Sequence, residues 1–164
     1  MSMIGNLVAV SPEQLQSFMA DPGLIVPFLS PDEGGAEPAN HLDLDKAWHA
    51  IHFTLNGKEW EGEEPFFLAI LGGEPIGEDV GCGPVRYLTP AQVAVLSEAL
   101  SGITAENFGE KFDHSALAAA EVYPNIWQAE GAESLEYVQP YYADLRSFYQ
   151  AAAGRNEAVL IYLN

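Results

Sequence analysis

Positive charge is scarce in this sequence: six lysines and arginines stand against 24 aspartates and glutamates, a formal net charge of −18. Binding DNA, RNA or an anionic lipid surface takes cationic patches that such a chain lacks, so neither nucleic acid nor membrane is an expected partner. Cysteine is almost missing as well. Cys82 is the single one, which excludes an internal disulfide and fits a reducing compartment. Long apolar runs are wanting too. The N-terminal "MSMIGNLVAV" carries no positive residue ahead of its short apolar stretch, so no secretory leader or membrane span is expected and the cytoplasm is the expected location.

Signatures of chemistry are equally thin. The glycine-rich stretch 72–83 has no lysine followed by serine or threonine and no Rossmann spacing, and Glu74, Glu78 and Asp79 would repel a phosphate. Cys82 lies between two glycines without any cysteine-protease signature around it, and reads as an inert loop cysteine.

What is present is core material. With 164 residues, 48% hydrophobic and 11% aromatic, the chain can build one sizeable core but not two, so a single domain over 1–164 is expected. "MIGNLVAV" reads as a strand, and Ser11 then caps a helix with Pro12 at its first position, Gln14 completing a capping box. That helix carries Leu15, Phe18 and Met19 and stops near the "DPG" at 21–23, and Pro31 to Asn40 form an acidic loop.

The richest stretch is "LDLDKAWHAIHFTLNG" at 42–57, read as a helix over 43–56 with Asp43 or Asp45 at its start and Gly57 at its stop. Leu44, Ala47, Trp48, Ile51 and Leu55 form its core face, while Asp45, His49, His52 and Asn56 line up as a polar stripe along the border. Phe53 points elsewhere, so neighbours should cover this helix on more than one face.

Beyond it come an acidic loop, a short apolar helix from Glu64 and Pro65 to Gly72 and Gly73, an irregular 72–83, and a strand "PVRYL" at 84–88. Thr89 and Pro90 open a helix through Val93, Leu96 and Leu100, and a helical region spans 104–121. "VYPNIW" reads as a partly buried connection. A helix over 132–153 follows, packed through Val138, Tyr141, Leu145, Phe148 and Ala152, which Pro140 must start, kink or split. The aromatic set Tyr137, Tyr141, Tyr142, Phe148 and Tyr149 reads as core packing. "EAVLIYL" closes the chain as a strand, so both ends belong to one small sheet and the class is α+β, several helices around that sheet.

"MIG" at 3–5, the stretch 42–57, "PVRYLTP" at 84–90, "EVYPNIW" at 121–127 and the closing "YYADLRSFYQAAAGRNEAVLIYLN" together resemble the YfbM-like family of small bacterial proteins. The resemblance spans nearly the whole chain and implies a single α+β domain. It supplies no catalytic residue, because that family has no established function.

Two readings of the polar stripe compete. Asp45, His49 and His52 at i, i+4 and i+7 share a helical side, and imidazole with carboxylate suits zinc, but no second motif offers a fourth ligand, so neither metal nor cofactor is expected. A general acid or base role for His52, oriented by Asp45 and walled by Trp48, Tyr87 or Tyr123, would make the protein a small enzyme or ligand-binding protein. In the alternative, Asp45 supports the helix dipole and His52 packs at the core border against a backbone carbonyl. With no recognisable catalytic motif, the leading expectation is a non-catalytic acidic interaction protein for a basic partner, in one version an immunity-like inhibitor, with Asp45, Trp48, His49, His52, Tyr87 and Tyr123 as its candidate binding residues.

Overall fold

Two apolar runs at opposite ends of the chain become neighbours in one sheet. β1 (Gly5–Val10) pairs antiparallel with β5 (Ala158–Leu163), from Gly5 opposite Leu163 to Val10 opposite Ala158. Nearly every residue of both strands is buried, as a continuous apolar run at the centre of a covered sheet requires. β4 (Pro84–Leu88) lies against β5, and the computed structural model places the five strands in the antiparallel order β2-β1-β5-β4-β3, with β2 (His41–Asp43) and β3 (Glu74–Asp79) at the edges. The structure describes residues 2–128 and 131–164; Met1, Ala129 and Glu130, which the expected 1–164 domain includes, lie outside the described residues.

Alternation along the strands divides the core in two. Leu7, Ala9, Leu88, Val159 and Ile161 point to one face, and Val8, Val10, Val85, Leu160 and Tyr162 to the other. The smaller face is covered by α1 (Pro12–Ala20), through Leu15 and Phe18, and α2 (Ile25–Leu29), through Ile25. Ser11 caps α1 from Oγ to Gln14 N–H at 3.0 Å, and Pro12 stands at the first turn as expected. The larger face carries α3 (Trp48–Asn56), α4 (Pro90–Ser101), α5 (Ala105–Lys111), α6 (His114–Ala119) and α7 (Gly131–Gly154). These are the seven α-helices among the described residues, and none of the helices there is long and apolar enough to cross a membrane.

Where local chemistry is explicit, the expected elements are found. Thr89 and Gln92 form a reciprocal capping box on α4, and Gly57, at φ 75°, ends α3. The differences arise where tertiary partners decide. The stretch 72–83, expected to be irregular, contains β3, an edge strand with only Ile76 buried and a register shift between Ile76 and Asp79. Its glycine, proline and acid content is what an unpaired edge tolerates and what obscures it as a strand. The helix expected over 43–56 starts later: Asp43 belongs to β2, and a single 3-10 turn at Asp45–Ala47 precedes α3.

The region 104–121 splits because Asp113 turns its carboxylate onto the N–H groups of Ser115 and Ala116 and opens a second helix. α7 continues through Pro140 without a break. Its buried seam is Val138, Tyr142, Leu145, Tyr149 and Ala152, with Tyr141 and Phe148 only half-buried beside it. Spacings alternating four and three keep that seam on one side of the helix. The two buried tyrosines also finish open ends elsewhere: Tyr142 donates its hydroxyl to Ile103 O at 2.6 Å and Tyr149 to Ala69 O at 2.7 Å.

Candidate functional site

α3 is buried on every side from Trp48 through His52, and this decides what its histidines can do. Trp48 is wedged against β1, where a Cβ on Gly5 would lie 2.7 Å from its own Cβ, and it donates Nε1–H to Met3 O at 3.0 Å. Only glycine at position 5 allows so close an approach.

His49 is 2% exposed. Its Nδ1 faces Tyr123 N–H at 3.0 Å and its Nε2 faces Glu59 O at 2.7 Å. A backbone amide can only donate and a carbonyl can only accept, so the ring is neutral, with its proton on Nε2. His52 is 1% exposed and repeats the arrangement: Nε2–H donates to Glu61 O at 3.1 Å, and the Asn56 side-chain amide donates to Nδ1 at 3.3 Å. Burial lowers the titration of both rings, against an opposing pull from the hydrogen bonds to Glu59 and Glu61; for His52, His49 and the Arg86 guanidinium add to the lowering, and it falls to about 4.

Both histidines therefore hold loop 57–65 down on α3 by its backbone. Gly62 lets the loop pass, since a Cβ there would run into the Asn56 side chain. Between the two anchored carbonyls stands Trp60, a residue the sequence reading passed over as part of an acidic loop. Its ring centroid lies 4.3 Å from that of His49, tilted by 39°, and 6.3 Å from that of Trp48, which stacks on the same imidazole at 4.8 Å, and the residue is nevertheless 59% exposed. The signal available in advance was one tryptophan amid Glu59, Glu61, Glu63 and Glu64.

The candidate residues separate into three groups. Trp48, His49 and Tyr123 come together: Tyr123 stacks on Trp48 at 5.8 Å and its hydroxyl accepts from Met3 N–H at 2.8 Å. His52 sits one turn on, with its ring edge to face against Phe67. Asp45 is engaged elsewhere. It has φ 47°, its N–H donates to Asp43 Oδ1 at 2.6 Å, and its carboxylate accepts the Tyr137 hydroxyl at 2.6 Å, so it orients neither histidine.

Tyr87 is not part of the constellation at all. It packs with the smaller core, on the face of the sheet that carries Val85 and Leu160, whereas Trp48 belongs to the larger core. A cleft bordered by Trp48, His52 and Tyr87 is accordingly not formed, because one step along a strand turns a side chain to the opposite face.

An open groove of about 590 Å³ lies beside the loop, lined by Leu55, Asn56, Lys58, Glu61, Glu63 and Phe66. Neither histidine reaches it, and its cation Lys58 is bridged to Glu61 at 3.1 Å in full view of solvent. Among the described residues no group of three or more His, Cys, Asp or Glu could hold a metal ion.

Comparison with known proteins agrees with this fold and adds no activity. The family model described as "Domain of unknown function (DUF1877)" matches residues 1–162. The crystal structure of a protein of unknown function, YfbM from Escherichia coli, superposes with a TM-score of 0.74 at 20% identity, covering 98% of this chain and 99% of that one. At that identity the likeness concerns the fold. No curated protein matches.

Proposed function

The chain belongs to the DUF1877 family, and from that premise, with no activity to inherit, we propose that it is a non-catalytic acidic interaction module acting in the cytoplasm, which binds a basic protein partner through Trp60 and the loop that carries it. The observation that supports this most is the exposed Trp60, held over His49 on a loop whose backbone is pinned at Glu59 and Glu61. A large aromatic that is ordered yet open to solvent is the residue type that anchors interfaces. Net charge fixes the sign of the partner. With −18 on the chain and glutamates at 59, 61, 63 and 64, a lysine or arginine is drawn to the indole both by Coulomb attraction and by the ring face.

General acid–base chemistry finds less support, because each imidazole spends both nitrogens on its surroundings. An immunity-like inhibitor of a basic toxin is one concrete form of the module. Nucleic acid and anionic membrane are not among its partners on this reading.

An arginine-rich peptide serves as the first probe. Its affinity is expected to fall about tenfold or more between roughly 50 and 300 mM salt, as screening shortens the reach of exposed charges. Salt-independent association, or equal affinity for duplex DNA, would contradict the proposal.

A further inference from the structure

His49 differs from His52 in one respect that matters beyond stability. The acceptor nitrogen of His52 is used by Asn56 on the same helix, whereas that of His49 is used by the backbone of a different segment, at Tyr123. We propose that His49 is a proton-sensitive joint of the binding surface: as a neutral ring it fastens loop 57–65 and segment 121–127 to α3 together, and as a cation it keeps the loop and releases Tyr123.

The chemistry follows from the two partners. A proton on Nδ1 occupies the lone pair that Tyr123 N–H needs, so two N–H groups would face each other at 3.0 Å. The bond from Nε2–H to Glu59 O, at 2.7 Å, is strengthened by the positive charge on its donor. The Trp60 indole, its centroid 4.3 Å from that of the imidazole and tilted by 39°, also favours the cation. Protonation thus loads one attachment and cuts the other.

The groups facing these rings are few. Glu59 and His52 face His49, while Arg86 from β4 and Glu61 from the loop face His52. Burial outweighs Glu59 and keeps the His49 titration below that of an ordinary histidine, so the joint works below the usual histidine range. Its release reaches further than one bond, because Tyr123 also stacks on Trp48 and accepts from Met3 N–H. Only the consequence for a partner rests on the function proposed above; the joint is a property of the isolated chain.

The test is a nuclear magnetic resonance titration of the intact, ¹⁵N-labelled chain from about pH 7.5 down to the onset of acid unfolding. The Tyr123 amide is expected to shift with the same midpoint as the His49 ring nitrogens, below 6.5, and to lose about tenfold or more of its protection from hydrogen exchange. The Trp60 indole should stay in place through that transition. In His49→Gln, which cannot take the proton, the Tyr123 amide should remain flat over the same range.

A Tyr123 amide that stays protected while His49 titrates would overturn the joint. So would simultaneous release of Trp60, or a His49 that takes no proton before the whole chain unfolds. Failure of the arginine-rich peptide to bind would sink the proposed function without altering any of these resonances.

Discussion

His49→Leu is expected to destabilise the chain by about 2–6 kcal/mol at most, the sum of two part-buried backbone groups left without partners at about 1–3 kcal/mol each. Leucine fills much of the same space, so the loss is not one of volume. What disappears is the acceptor for Tyr123 N–H and the donor to Glu59 O, at a site that is 2% exposed. His49→Gln, which keeps a donor and an acceptor in one side chain, should lose clearly less. Denaturant midpoints at neutral pH measure both. A leucine variant within about 0.5 kcal/mol of the parent, the range of an ordinary surface substitution, would contradict the structural role given to this ring.

The second large effect is on pH dependence. His52 titrates near 4 in the folded chain and at the ordinary 6.5 when unfolded. Between these values the unfolded chain binds more protons, so stability rises with pH across that window. The contribution is complete above 6.5 and is lost as pH falls through about 4. At about 1.4 kcal/mol per unit, and reduced for screening through the exposed loop that covers the ring, it amounts to about 2 kcal/mol.

Carboxylates titrate over the same range, and a reference variant removes their share. The stability advantage of the parent over His52→Gln should shrink by about 2 kcal/mol between about pH 7.5 and about pH 4.5. A constant or widening advantage would show that burial does not hold the ring neutral.

Much of the architecture was readable because its causes are local. Ser11, Thr89 and Gly57 announce helix ends by their own chemistry, and the apolar runs of β1 and β5 can only be buried strands at that length. β3 was not readable, since an edge strand needs little apolar material and Glu74–Asp79 has little. The packed side of α7 was misread by one position at Tyr141 and Phe148, where half-buried aromatics mimic the seam that Tyr142 and Tyr149 occupy.

The candidate site shows the same division. Helical spacing placed Asp45, His49, His52 and Asn56 on one stripe; the last three do share α3, whereas Asp45 lies on the 3-10 turn before it and pairs with Tyr137. Its partners are backbone groups of Glu59, Glu61 and Tyr123, which no side-chain pattern reveals. Tyr87 was drawn in by residue type, and the face on which β4 presents it is a matter of how the sheet is covered. Trp60 was hidden by the composition around it, because an acidic run reads as a solvated loop until the two anchored carbonyls show that the loop is fixed.

The most direct measurement compares the affinity of the chain and of Trp60→Ala for the same arginine-rich peptide at one low salt concentration. The substitution leaves the net charge of −18 untouched, so diffuse attraction is identical in both. Loss of a cation held against an indole on a fixed loop is expected to weaken binding about tenfold, or about 1.4 kcal/mol. Equal affinity in the two proteins would mean that charge alone does the binding and that the loop fastened by His49 and His52 presents nothing to a partner.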